Sequence, residues 1–466
     1  MAKSTTTAPS TTARARGRTK SKRLLSAVAI GAVSAVTASV AAAGGAAFAA
    51  PDYPSWNDVE KAKQNESTKQ AEIATLGELL NGLASQAAKA VTTAQIAAEA
   101  YRVTQDALDA ATVRETSLSE QAATAEATAA TSKMRAGLIA AHLAKSGASG
   151  LSLNLFLNGN SADDLLSQLG TASKLSEQSE QIYTEAVQDK NAAESLGEQA
   201  ASATEERERL TEESKTTFDA ATASSTAAEA AYNTQQRKSS ELFEQLALLK
   251  DTTAEAERSF HAGEDAAAAA SAFAQAQASA AAIADAAAAQ AVRDTAAAAA
   301  AAAGSGSGSG SGAGSGSGSG SGSVAPSVPA TPSPPVALPN ASIVDTALAF
   351  ANAQLGDRYV FGGSGPDAWD CSGLTKAAYA AAGVYIGTHS ATNQYNTMAS
   401  QGKLVSFAQV QVGDLVFWGS PGNYYHVAIY AGNGQVLEAP NPSSRVRVHS
   451  IWSSWAVAPY VGRPAA

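Results

Sequence analysis

The sequence predicts an all-α coiled-coil hairpin in the N-terminal region and an α+β domain at the C-terminus. Three observations carry this reading. Residues 55 to 300 are rich in Ala, Glu, Gln, Ser and Thr and contain no proline, a helix-forming composition. An alternating Gly/Ser run from Gly304 to Ser323, then a Pro-rich stretch to Pro339, has the composition of a linker. Residues 341–466 hold four of the five tryptophans and are long enough for one complete core.

Residues 1–49 read as an export signal. Arg14, Arg16, Arg18, Lys20, Lys22 and Arg23 form a basic start, Leu24 to Ala43 is apolar and small, and Ala47-Phe48-Ala49 fits a small-x-small cleavage site. The mature chain is therefore expected to be secreted, or held at the surface by partners. The signal carries seven of the 32 Lys and Arg and none of the 42 Asp and Glu, so cleavage leaves 25 bases against 42 acids, a formal charge of −17. Residues 341–466 balance six acids with six bases, which puts the excess on the helical region. Such acidity argues against a nucleic-acid partner, and the carboxylates read as a solvated helix surface.

Residues 50–264 are expected to form the hairpin. Leu80, Ala87, Ala94, Tyr101 and Leu108 step by seven in one block. Leu175, Ile182, Leu196, Ala203 and Leu210 share a position in a second block, interrupted by Asp189. Small seam residues allow close approach but bury little area each. Gly147 and Gly150 separate the blocks, and the apolar stretch that follows predicts a tip at about 146–172 that either closes a local core or docks a protein partner. Residues 265–303 are nearly all alanine and read as a helical spacer. The linker, 304–340, has an r.m.s. reach of about 30–35 Å and is expected to decouple the coil from the C-terminal domain, 341–466.

In that domain a helix is expected from Ala341 to Leu355 and another from Cys371. Strands are expected at 414–418, 426–431, 435–439 and 445–451, with Asn433-Gly434 as a hairpin turn. Asp414, after Gly413, reads as a turn residue.

Cys371 is the single cysteine of the chain, so it can form no internal disulfide. Asp370 is placed to cap the helix that begins at Cys371, and a helix N-terminus favours a thiolate. The backbone N–H groups there can also stabilise a developing oxyanion. His426 and Glu438 are an even number of residues apart across a tight turn and can share a sheet face, opposite or diagonal. A carboxylate on one ring nitrogen leaves the other free for the thiol. Cys371, His426 and Glu438 are the parts of a nucleophile, its base and the group that orients the base. His389 alone reads as a surface histidine. No cysteine pair and no histidine spacing suggests a metal site, and no cofactor is implied.

The runs Ala353-Gln354-Leu355-Gly356, Tyr359-Val360-Phe361-Gly362-Gly363, Asp370-Cys371-Ser372-Gly373-Leu374, Val412-Gly413-Asp414-Leu415-Val416-Phe417 and His426-Val427-Ala428-Ile429-Tyr430 resemble the NlpC/P60 family, papain-like cysteine peptidases of bacterial cell walls. The resemblance covers about a quarter of the chain. It implies a thiol peptidase that hydrolyses a peptidoglycan stem-peptide amide, typically γ-D-glutamyl to a diamino acid. It makes Cys371 the nucleophile and His426 the base, and puts Tyr359, Asp370, Ser372 and His389 at the substrate. The third polar position is often histidine in the family; here it is Glu438, as in Rip-type hydrolases. The family's frequent Pro-Arg before Thr-Ser is Gly387-Thr388 before His389-Ser390, where His389 can substitute. More loosely, the helical region resembles the coiled coils of division hydrolases of the PcsB and RipC type. That implies a coil that holds the enzyme inactive and docks by its tip on a membrane complex of the FtsEX type. Two other readings stand beside this one: an amidase or acyltransferase on the same fold, and a non-catalytic wall-binding activator.

Overall fold

The computed structural model describes residues 53–148, 162–304 and 336–466. The expected export signal, residues 149–161 of the expected hairpin tip and the body of the linker lie outside the described residues. The chain opens with helix α1 (Trp56–Lys63), started by a capping box in which Ser55 and Asp58 satisfy each other's backbone N–H. It continues into α2 (Glu66–Ala148), 83 residues, and α3 (Ala162–Lys250), 89 residues. The two run antiparallel, because their partners step in opposite directions. Leu80 and Leu83 cluster with Leu242 and Leu246, Ser214 donates to Gln105, Glu115 pairs with Arg207, and Ser132 donates to Asp189. Leu80, Ala87 and Ala94 on one helix and Ala203 and Leu210 on the other are buried, as the seven-residue spacing requires. Asp189, the break in that spacing, is matched by the Ser132 hydroxyl across the seam.

Helix α4 (Ala254–Gly304) contains the alanine-rich segment. It does not stand free. Phe273 meets Phe407 edge-on at 5.6 Å and stacks with Tyr430 at 6.2 Å, and Ala280 is buried in the same cluster. The expected decoupling of coil from C-terminal domain is therefore not what the described chain displays. The described residues from 53 onward pack as one compact unit.

The C-terminal domain begins with α5 (Ala341–Ala353), capped by Asn340. A two-stranded parallel pair follows, β1 (Arg358–Tyr359) with β2 (Ala368–Trp369), and then α6 (Cys371–Ala381) and α7 (Ala391–Ser400). Strands β3 (Leu404–Ser406), β4 (Leu415–Ser420), β5 (Asn423–Gly432), β6 (Gln435–Glu438), β7 (Arg447–Ser450) and β8 (Tyr460–Gly462) form an antiparallel sheet in the order β3-β8-β4-β5-β6-β7. The α+β layout and the four expected strands are present. Helix α7, the short β1–β2 pair and strands β3 and β8 are additions. Asn433 and Gly434 both have positive φ, the geometry of a two-residue hairpin turn.

Alternation on β5 divides two cores. Val427 and Ile429 pack with Leu374, Ala378 and Tyr379 of α6, while Ala428 and Tyr430 face Phe273 and Ala280 of α4. Both faces of β5 are thus covered, which explains its nearly unbroken apolar run. Asp414 is not a simple turn residue. It is fully buried and accepts from Arg463 Nε at 3.0 Å and Nη2 at 2.9 Å, tying β8 to the start of β4. No helix among the described residues is long and apolar enough to cross a membrane.

Candidate active site

Asp370 caps α6 as expected, its Oδ1 accepting from Gly373 N at 2.7 Å. This sets Cys371 in the first turn. Gly373 is required there, because a Cβ would stand 2.2 Å from the Gly363 carbonyl oxygen and 2.8 Å from His389 Nε2. Asp370 also receives the Gly362 N–H at 3.1 Å, His389 Nε2 at 2.6 Å and Arg102 Nη2 at 3.2 Å. Burial works to raise its pKa, but the hydrogen bond and charge of His389, the charge of Arg102 and the Gly373 N–H outweigh it and hold the carboxyl below its usual range. His389 is therefore a partner of Asp370 and not a free surface group. Ser372 is buried, with its hydroxyl turned to Asp370 at 3.4 Å. In this arrangement the Asp370 and Ser372 side chains face each other and not an open cleft.

The Cys371 thiol lies at the backbone N–H groups of Ser372 and Val427, beside Tyr359. Val427 follows His426 directly, so the sulfur lies against the strand that carries the imidazole, and no hydrogen bond joins the thiol to the His426 ring. The expected lowering of the thiol pKa is overturned in this arrangement. Burial pushes the thiol up, the charges of Asp370 and Glu99 add to it, and the two N–H groups pull down by less. Tyr359 is buried, and its hydroxyl is held protonated by burial and by the neighbouring Cys371 and Asp370.

His426 is fully buried and stands diagonal to Glu438 across the β5–β6 pair, since Ile429 lies opposite Leu437. Its Nε2 meets Glu438 Oε2 at 3.0 Å. Glu438 is further held by Trp452 Nε1 at 3.0 Å and by Arg447 Nε and Nη2, both at 3.3 Å. Burial alone would raise this carboxyl; His426, Arg447 and Trp452 reverse the direction and keep it ionised. Trp418 and Trp452 stack at 5.1 Å and flank the imidazole at 5.1 and 5.4 Å.

The other ring nitrogen, Nδ1, is met by Gln95 Nε2 of α2 at 3.2 Å, and the same amide donates to the Pro440 carbonyl at 2.7 Å. Because the amide nitrogen is a donor on both sides, Nδ1 is the acceptor and Nε2 carries the ring proton. Gln95 heads a stripe on one face of α2. Glu99 accepts from Ser390 Oγ at 2.6 Å, Thr392 N at 2.8 Å and Ala391 N at 3.0 Å. Arg102 reaches Asp370 and His389, and Asp106 accepts from Thr388 Oγ1 at 2.5 Å. Spacings of four, three and four keep these residues on one helix face, away from the seam with α3. Sequence reading missed all four, since a polar stripe opposite an apolar seam also describes a solvated face. Among the described residues no cluster of His, Cys, Asp and Glu could hold a metal ion.

Residues 356–462 match the NlpC/P60 family. Among relatives, protein P54 of Enterococcus faecium is 41% identical over 105 residues, 22% of this chain and 19% of that protein. A probable endopeptidase of Corynebacterium glutamicum is 37% identical over 123 residues, 26% of this chain and 54% of that one. The peptidoglycan endopeptidase RipA of Mycolicibacterium smegmatis is 38% identical over 112 residues, 24% and 21% respectively. The chain thus spans at most about half the length of these relatives, and the matched stretch is the one that contains Cys371, His426 and Glu438. The C-terminal quarter of this chain is an NlpC/P60 domain, set behind a long antiparallel helical region.

Proposed function

We propose that the chain is a peptidoglycan endopeptidase that uses Cys371 as nucleophile, His426 as base and Glu438 as the group that orients the base. The observation that carries this is the buried His426–Glu438 pair at 3.0 Å, with a thiol at the adjacent helix N-terminus. With Nε2–H held by Glu438, Nδ1 is the nitrogen that takes the thiol proton. The thiolate attacks the amide carbonyl, and N–H groups at the start of α6 stabilise the oxyanion. His426 returns the proton to the leaving amine, and water then releases the acyl group from sulfur by the same base. The relatives named for peptidoglycan endopeptidase activity support a stem-peptide amide as substrate, with γ-D-glutamyl to a diamino acid as the proposed bond. Tyr359 and His389 are the proposed substrate contacts at the edge of the site.

The coil is the proposed regulator. Gln95 occupies the nitrogen the thiol needs, and Glu99 and Arg102 cover the rest of the cleft. Secretion, action in cell division and release by an FtsEX-type membrane complex complete the reading. Mass spectrometry of muropeptides after digestion by the chain, with Cys371→Ala as control, tests it. New products from the control, or none from a chain with Gln95→Ala, would remove the assignment. An amidase or acyltransferase would announce itself by different products.

A further inference from the structure

Helix α3 also meets the C-terminal domain, at a place apart from the catalytic corner. Phe218 lies 6.0 Å from Phe361 and 5.3 Å from Tyr101, which closes the contact at one end. Beyond these rings α3 and the domain part, leaving a cleft of about 600 Å³, the size of a small-molecule site. Residues 218–229 form one wall, and residues 358–361 with 442–445 form the other. Tyr359 belongs to that wall, whereas Cys371, His426 and Glu438 do not. Phe218, Thr222, Ser225 and Glu229 are spaced by four, three and four, so a single face of α3 looks onto the cleft. The lining is rich in hydroxyls, with Thr222, Ser225 and Thr226 on α3 and Ser443 and Ser444 opposite. Ser443 Oγ is buried without a hydrogen-bond partner, which is unfavourable as long as no ligand uses it. Arg358 and Arg445 are direct partners in an antiparallel bridge, and like charges placed opposite each other disfavour such a pairing. Arg445 donates through Nη1 to the Gly356 carbonyl at 2.7 Å. The Arg358 guanidinium has no ion pair among the described residues. Glu229 is the one carboxylate of the lining and pairs with neither arginine. In a chain whose acids outnumber its bases, this is a local excess of positive charge with no counter-charge in place.

We infer that this cleft is a binding site for the phosphate ester of a sugar, with Arg358 and Arg445 on the phosphate, the hydroxyl side chains on the ring oxygens, and Phe218 and Phe361 against the apolar edge of the ring. Paired guanidinium groups suit the several acceptor oxygens of a phosphate, and aromatic rings beside polar groups suit a sugar, which is apolar on its C–H face and polar at its rim. The site goes beyond the proposed function and needs no catalysis by Cys371. Because both walls contribute, the bound ester holds α3 against the domain and favours the assembled chain by its binding free energy.

Calorimetric titration of the full-length chain with glucosyl phosphate tests this, with glucose and inorganic phosphate as controls. The ester should bind about ten-fold or more tighter than either control, the discrimination expected when charge-assisted bonds and a ring contact are made together. Arg358→Met should weaken the ester by about ten-fold. Glu229→Gln should tighten it, because a like charge leaves the wall; a residue that only held the fold would give no gain. Cys371→Ala should bind as the unaltered chain does, so that the site and the endopeptidase reading stand or fall separately. The methyl phosphodiester of the same sugar distinguishes the sources: tighter binding than the monoester assigns the site to a phosphodiester-linked polymer, weaker binding to a free sugar phosphate. Hydrogen exchange over residues 218–229 should slow when the ester saturates the chain. The site is overturned by equal affinity for the ester and either control, by an Arg358→Met chain that binds the ester as before, by a loss of affinity on Glu229→Gln, or by no binding at millimolar ester. Unchanged exchange at saturation overturns the bridging of coil and domain.

Discussion

Gln95 and His426, 331 residues apart in sequence, meet at 3.2 Å through the ring nitrogen that a cysteine nucleophile would need. The coil therefore touches the proposed base itself. On the proposed reading, a neutral amide sits where the sulfur would deliver its proton.

Removing that amide should wake the enzyme. Gln95→Ala in the full chain is expected to raise both muropeptide hydrolysis and the alkylation rate of Cys371 by about ten-fold, the scale of one hydrogen bond to an ionisable partner. Reactivity equal to that of the unmodified chain would mean that Gln95 is a bystander.

The shell around Glu438 should divide into an essential and a tuning part. Glu438→Gln leaves the packing but can place the wrong tautomer on His426, and is expected to lower kcat by about two to four orders of magnitude. Trp452→Phe and Arg447→Met each remove a donor from the same carboxylate and should lower kcat by about ten-fold with little change in KM. A rise in KM with kcat intact would place these two residues at the substrate instead.

Docking of the coil should depend on pH through Glu99. Docked, burial pushes this carboxyl up to about 7; solvated, it returns to its ordinary 4.5. The groups that face it are the Ser390 and Thr392 hydroxyls and N–H groups of α7 and the Cys371 thiol of α6. Since docking raises the pKa, the docked state is fully supported below about 4.5 and loses support as pH rises through about 7. Hydrogen exchange over residues 90–110, corrected for intrinsic rates, should be slower at pH 5 than at pH 8, and Glu99→Gln should flatten the difference. A steeper loss of protection at the acid end would reverse the sign and exclude this linkage.

The buried Asp414–Arg463 pair should dominate the local stability of the domain. Arg463→Met strands a carboxylate with no solvent access and is expected to cost about 3–5 kcal/mol, whereas replacing both residues with apolar ones of similar size should cost far less. Denaturant unfolding of the single and double variants gives the comparison.

Much of this was legible in the residues. Cys371 with its Asp370 cap, the His426 strand, the Asn433-Gly434 turn and the even spacing to Glu438 are local signals, and each is where the spacing puts it. The heptads of α2 and α3 were equally plain. What could not be read was anything that depends on two distant segments meeting. Gln95, Glu99, Arg102 and Asp106 look like an ordinary solvated stripe until the domain is laid against them, and Glu99 then adds to the upward shift that burial and Asp370 impose on the Cys371 thiol. Phe273 was an isolated aromatic in an alanine run, with no local cue that Phe407 and Tyr430 awaited it. Ser390 did announce a helix, as a serine three residues before Asn393, and α7 could have been found from that cap.

The raised proton affinity of Cys371 has a bearing on the life of the molecule outside catalysis. Sulfur kept as SH is a poor target for peroxides and for exchange with foreign thiols, and this chain has no second cysteine to rescue an oxidised one by forming a disulfide. Under the proposed regulation the helical hairpin is also a sheath for the sulfur, and exposure to damage would begin only when the coil is released.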